Sequence, residues 1–231
     1  MPHSYALSRT CLVAAAVLGL TLPTAILAQT DIPVGRFKSV TLRNGGRVVI
    51  RHGIDQKVTL LKGSTSHTGV TTAVGARLVI DRCGSGCPDD HDLVVEVFTP
   101  ELVELMVLDG GLIQTRGSFP RQSGLEAAIR HGGMIDFRSM RVDDVNAAVE
   151  QGGRIYGKPQ RTLVASVAQG GNITYWGDPR VTSSIDKGGV IARGANADAD
   201  KVHLDHADPG MEPPVPPVPP VAPRKVRRFS L

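Results

Sequence analysis

The chain has 231 residues, with 26 Lys+Arg against 22 Asp+Glu, 41% hydrophobic and only 4% aromatic residues. Four of the basic residues, Arg224, Lys225, Arg227 and Arg228, lie within the last eight, so the body of the chain is close to neutral. A body without a basic face does not suit nucleic-acid binding, which needs cations to neutralise phosphates.

Residues 1–28 read as a secretory signal peptide. A short start carrying Arg9 is followed by an almost wholly apolar run from Cys11 to Ala28, which ends on a small residue. That order of charge, apolar run and small residue is the export pattern. Gly19 and Pro23 interrupt the run and argue against a membrane anchor, so no transmembrane span is expected after cleavage. The mature protein is then exported, to the periplasm, the cell surface or the medium.

The next stretches are short and β-rich: Phe37 to Leu42, Arg47 to Ile50, Lys57 to Leu61, Arg77 to Ile80 and Asp92 to Phe98. Gly45-Gly46 separates the first two. No stretch sustains a helical period. Between the last two lies Cys83-Gly-Ser-Gly-Cys87, the one cysteine pair left once Cys11 departs with the signal. Export to an oxidising compartment predicts a disulfide that clips a Gly-rich turn. A metal site combining this pair with Asp89, Asp90, His91 and Asp92 is the alternative, since thiolates and imidazole suit zinc. A single closely spaced cysteine pair does not favour it, and no cofactor is expected.

From residue 106 a repeat takes over. Ala127-Ala-Ile-Arg-His-Gly-Gly-Met-Ile-Asp136 returns as Ala147-Ala-Val-Glu-Gln-Gly-Gly-Arg-Ile-Tyr156, as Ala165-Ser-Val-Ala-Gln-Gly-Gly-Asn-Ile-Thr174 and as Ser183-Ser-Ile-Asp-Lys-Gly-Gly-Val-Ile-Ala192. A looser copy opens at Met106. The second glycines stand at 111, 133, 153, 171 and 189, in steps of 22, 20, 18 and 18. Each step is one coil of a solenoid. β-Branched residues recur three before the first glycine (Ile129, Val149, Val167, Ile185) and two after the second (Ile113, Ile135, Ile155, Ile173, Ile191), which suits short strands stacked in register. The Gly-Gly pair supplies the corner, because glycine reaches positive φ and permits close approach.

The pattern therefore predicts an all-β fold, a right-handed single-stranded parallel β-helix of roughly eight coils over residues 32–207. Leucine-rich and calcium-binding nonapeptide repeats lack their signature residues here, and the uneven step does not suit a hexapeptide helix. An antiparallel sandwich is the rival. Residues 208–231 form a tail in which Pro-Pro-Val recurs before the basic end. It is expected to be disordered and extended, either a solvated tail that aids solubility or an arm that contacts an anionic envelope surface.

At these residues the chain resembles the putative auto-transporter adhesin, head GIN domain family of exported bacterial proteins. The likeness runs from about Phe37 to Ala195. It rests on the opening Phe37-Lys-Ser-Val40, the proline-led Pro100-Glu-Leu-Val-Glu-Leu105, the Gly-containing corners, and Gly171-Asn-Ile-Thr-Tyr-Trp-Gly-Asp-Pro179. Family corners commonly read Ser-Gly-Ser-Gly-Asp-Ile, whereas here they read His-Gly-Gly-Met-Ile, Gln-Gly-Gly-Arg-Ile and Gln-Gly-Gly-Asn-Ile. The resemblance implies a β-helix and export and almost nothing biochemical, with no catalytic residues attached.

Candidate site residues follow from the repeat. His131, Gln151, Gln169 and Lys187 occupy equivalent corner positions and should stack as a polar ladder. Tyr156, Tyr175 and Trp176 lie on neighbouring coils, where rings could stack on sugars. Together they suggest a surface for envelope polysaccharide or a surface protein. The competing expectation is a solvated polar edge with aromatics that pack the core. A glycan-cleaving pair would have to come from Asp136, Asp178 and Asp186, but Asp136 meets Tyr156 and Thr174 at its equivalent positions, so no acidic ladder forms. The sequence reads as non-catalytic, with a structural spacer for the Pro-rich tail as a further possibility.

Overall fold

A computed structural model of the protein describes residues 29–83, 87–88 and 92–195. The expected signal peptide, the Pro-rich tail and three of the possible metal ligands (Asp89, Asp90 and His91) lie outside the described residues. Among the described residues there are seventeen strands and no helix. In chain order they are β1 (Thr30–Ile32), β2 (Ser39–Arg43), β3 (Arg47–His52), β4 (Lys57–Lys62), β5 (Gly69–Ala73), β6 (Arg77–Asp81), β7 (Val94–Thr99), β8 (Glu104–Asp109) and β9 (Leu112–Arg116). Then follow β10 (Gln122–His131), β11 (Met134–Asp136), β12 (Val142–Gln151), β13 (Arg154–Gly157), β14 (Pro159–Gln169), β15 (Asn172–Tyr175), β16 (Arg180–Lys187) and β17 (Val190–Arg193).

The fold is all-β, in two mixed sheets. One has nine strands in the order β1-β4-β7-β3-β9-β11-β13-β15-β17; the other has eight, in the order β16-β14-β12-β10-β8-β2-β6-β5. From β8 onward the chain alternates between the two sheets, and every neighbouring pair there is parallel. The repeat step is what makes this possible. With equivalent residues paired directly, Ile113, Ile135, Ile155, Ile173 and Ile191 share one row of the nine-stranded sheet. Leu42, Val107, Ile129, Val149, Val167 and Ile185 share a row of the other. Apart from Ile185, which is exposed at the end of its row, both rows belong to one hydrophobic core, fully buried in its middle. Each branched side chain so buried contributes about 2 kcal/mol.

The Gly-Gly corners carry the backbone ladder from one sheet to the other. Gly132, Gly152 and Gly170 donate their N–H to the carbonyls of Gln151, Gln169 and Lys187, at 2.8, 3.1 and 3.0 Å. Met134, Arg154, Asn172 and Val190 donate to the carbonyls of Gly111, Gly133, Gly153 and Gly171, at 2.9 to 3.0 Å. The corner thus satisfies its own buried polar groups by pairing with the next level, as buried backbone must. Gly45-Gly46 is the same corner between β2 and β3, since Leu112 donates to the Gly46 carbonyl at 2.9 Å.

The N-terminal third departs from the expected unbroken series. β6 and β7 lie outside β2 and β3, so the chain returns past its own first strands before β8 and β9 join their other flank. β4 runs antiparallel to both β1 and β7, and β5 runs antiparallel to β6. These segments lack the recurrent glycine step, so nothing holds their strands to the parallel register. Their reversed strands close that end of the stack.

Candidate functional site

Five strands of the eight-stranded sheet deliver a polar residue to the same corner. β8, β10, β12, β14 and β16 end at Asp109, His131, Gln151, Gln169 and Lys187, which pair in register one after another. All five are exposed. Neighbouring strands lie about 4.8 Å apart, so the row runs for about 19 Å. His131 Nδ1 lies 3.0 Å from Asp109 Oδ1, a rung the repeat left out because its copy matches only loosely. The corner backbone pairs with itself, so these side chains are not needed to satisfy it. One row inward, Arg130 Nε donates to Glu150 Oε2 at 3.1 Å. The amides of Gln151 and Gln169 offer both donors and acceptors, and Lys187 offers donors. A row of this kind can hydrogen-bond an extended chain of hydroxyl, amide or carboxylate groups.

The aromatic candidates separate. Trp176 is only 5% exposed. Its indole N–H donates to the Ala195 carbonyl at 2.8 Å, and its ring covers Gly194, where a Cβ would come within 2.3 Å of the ring. Trp176 therefore braces the last described turn of chain. Tyr175 is half-buried and packs against the core. Tyr156 is half-buried beside Trp176, ring centroids 6.2 Å apart. Of the three rings, the two tyrosines retain exposed surface, on the nine-stranded sheet.

Over these rings lies a buried ion pair that the sequence did not disclose. Arg138 donates from Nε and an Nη to the two Asp136 oxygens at 2.9 and 2.7 Å, and both side chains are 7% exposed. Its guanidinium stands 5.4 Å from the Tyr156 ring centre and 5.1 Å from that of Trp176. The two residues are separated by one position just past a strand end, which no periodicity marks. Removing one partner of such a pair leaves a buried charge and costs about 3 kcal/mol or more. Asp136 is thereby occupied structurally. Asp178 is almost fully exposed beside Arg193, 3.6 Å away, and Asp186 stands on the other sheet. The three carboxylates do not converge.

Cys83 and Cys87 are joined in a disulfide with Cα atoms 5.9 Å apart. It clips the turn from β6 to β7, at the place where the next levels have Gly-Gly: Arg47 donates to the Leu93 carbonyl at 2.8 Å across it. Among the described residues, no three His, Cys, Asp or Glu side chains are placed to hold a metal ion. At the opposite margin of the eight-stranded sheet, Asp144, Arg161, Thr162 and Arg180 line a shallow open depression. The Arg161 guanidinium, and then the Thr162 hydroxyl, hold the Asp144 carboxyl down at about 2.

The profile of the putative auto-transporter adhesin, head GIN domain family matches residues 36–156, just over half of the chain. The chain belongs to this family. The matched stretch of the GIN domain takes in β2 through β12 and nearly all of β13, with the first three rungs of the polar row. Gln169 and Lys187 lie beyond it, on strands that continue the same register. Among solved structures, a putative adhesin from Bacteroides fragilis is similar at 16% identity and TM-score 0.39, covering 74% of this chain and 97% of that one. One from Parabacteroides merdae is similar at 13% identity and TM-score 0.36, covering 73% and 96%. A putative lipid binding protein from Parabacteroides distasonis is similar at 14% identity and TM-score 0.29, again covering 73% and 96%. At TM-scores this low none of the three bears on what this chain binds. No curated protein matches the chain.

Proposed function

We propose that this GIN-domain protein is exported to the cell envelope or surface. There it acts without catalysis, binding an extended polar partner, an envelope polysaccharide or surface protein, along the corner row. The observation that carries the reading is the row itself: Asp109, His131, Gln151, Gln169 and Lys187 are exposed, in register, and relieved of any duty to the corner backbone. Tyr156 and Tyr175 add half-exposed rings on the adjoining sheet. Export rests on the signal-like residues 1–28 and the oxidised cysteine pair.

The architecture that presents the row is a right-handed parallel β-helix of two strands per level. The pairing of β6 with β7, of β2 with β3, and of each later pair supports about seven such levels among the described residues. The handedness follows from the preference of parallel crossover connections. Residues 1–28 are the cleaved signal and residues 208–231 a separate basic arm that meets anionic envelope surface.

Glycan arrays and envelope pull-downs test the reading, run with the native protein and with a variant carrying His131→Ala, Gln151→Ala, Gln169→Ala and Lys187→Ala. The native chain should retain an envelope glycan or protein that the variant loses. Equal retention by both, or none above background, would overturn it.

A further inference from the structure

The stack has two long edges, and they carry different charge. Along the Gly-Gly corner, the row from Asp109 to Lys187 holds one carboxylate and one lysine, and Arg130 beside it is paired with Glu150. The opposite edge is made by the links that return the chain from the nine-stranded to the eight-stranded sheet: β9 to β10, β11 to β12 and β13 to β14. Two cations stand at each of these three links, Arg116 with Arg121, Arg138 with Arg141, and Lys158 with Arg161. The links stack because their strands pair: Gln122 lies beside Val142 and Val142 beside Pro159, and the Gln122 N–H donates to the Arg141 carbonyl at 2.8 Å. Cations therefore recur at the strand spacing of about 4.8 Å. Composition conceals this edge, because carboxylates elsewhere bring the body of the chain close to neutral.

Three of the six cations are spent in pairs within the edge. Arg121 bonds Asp143, Arg138 bonds Asp136 and Arg161 bonds Asp144. Arg116 has no carboxylate partner among the described residues. Its Nε and an Nη donate at 3.3 and 3.2 Å to the amide oxygen of Gln114, a neutral acceptor on a residue only 3% exposed. Arg116 also pairs in register with Arg51, and like charges so placed repel. Arg51 is relieved by Glu96 at 2.7 Å, whereas Arg116 is not. One level on, the exposed Arg141 side chain makes no ion pair and no hydrogen bond among the described residues. Two adjacent levels thus each hold a guanidinium without a counter-charge, with its fork of donors unspent or spent on a neutral group.

We infer that this edge binds an acidic polysaccharide, with Arg116 and Arg141 taking its carboxylates and Asp143 and Asp144 accepting its hydroxyls. The carboxylates interleaved with the cations repel a densely charged chain, and suit one whose acidic groups are spaced by hydroxyl-bearing units. Nucleic acid fits less well. Two uncommitted guanidiniums neutralise few phosphates, and the rings of the links, Phe119 and Phe137, are 4% and 1% exposed and offer bases no platform. The edge is a second surface, and it stands or falls apart from the polar row.

Titration of the intact protein with a soluble polyuronate at low ionic strength tests it, with a neutral glucan and a single-stranded oligonucleotide as comparisons. The native chain should bind the polyuronate and not the glucan. An Arg116→Gln, Arg141→Gln variant should bind it about tenfold more weakly or worse, with its far-ultraviolet circular dichroism unchanged. Two controls should bind as the native chain does: the four-alanine variant of the polar row, and Arg43→Gln, Lys62→Gln, which sheds the same charge on the Gly-Gly side of the stack. The basic tail is common to all four proteins, so differences among them report the edge. Polyuronate binding absent from the native chain, or unchanged in the Arg116, Arg141 variant, would overturn the inference. So would an equal loss from Arg43→Gln, Lys62→Gln, or an oligonucleotide held as tightly as the polyuronate.

Discussion

The two glycines of a corner do different work. Gly152 has φ +65° and open space where a Cβ would stand. Gly153 has φ +98°, and a Cβ there would lie 2.8 Å from the Ile129 side chain and 3.1 Å from the Gly133 carbonyl oxygen of the level beneath. Gly152→Ala should therefore cost about 1 kcal/mol, the left-handed backbone penalty alone. Gly153→Ala should cost about 3 kcal/mol, because strain adds to overpacking. Urea denaturation of the two variants checks the order; equal losses would contradict it. The carboxyl of Asp144 gives a second residue-scale expectation. Its pKa is lowered from 3.8 to about 2, chiefly by Arg161. A depressed carboxylate favours the folded state above its unfolded pKa, and the benefit fades as pH falls from about 4 towards 2. In an Arg161→Gln variant, NMR titration should find that pKa moved up towards 3.8. At this scale the sequence was a good guide to the branched rows, because position within a fixed step decides burial. It was a poor guide to Asp136 with Arg138, and for Trp176 it favoured inward packing without showing what covers the ring. Their burial depends on what folds over them, on Gly194 in one case and on neighbouring rings in the other.

Among elements, the repeated strands β10 through β17 were legible because each copy carries its own corner. The order of the early strands was not. A short run such as Lys57 to Leu61 has the same composition whether it pairs parallel or antiparallel, and its neighbours in sequence need not be its neighbours in the sheet. The turn between β6 and β7 shows how one level departs from the rule: it has a longer connection in place of two glycines, and the Cys83–Cys87 bond narrows it. So small a loop removes little unfolded-state entropy, so a Cys83→Ser, Cys87→Ser variant should lose about 2 kcal/mol and keep its strand content. Thermal melts with far-ultraviolet circular dichroism would show this. Global unfolding of the variant at room temperature would mean that the clip organises β6 and β7, rather than trimming their connection.

At the scale of the molecule, the polar row exists only because whole levels stack in register. A one-residue slip would turn every branched side chain out of the core, so core and surface row are specified together by the glycine step. That coupling made both visible in the sequence, while the partner of the row leaves no periodic trace. The most direct measurement is pulsed electron resonance between spin labels at 109 and 187, compared with labels at 151 and 187. Four levels predict a narrow distance near 19 Å for the first pair, and two levels about half of that for the second. Broad distributions, or a second distance as long as the first, would contradict an in-register stack and remove the basis for the binding row.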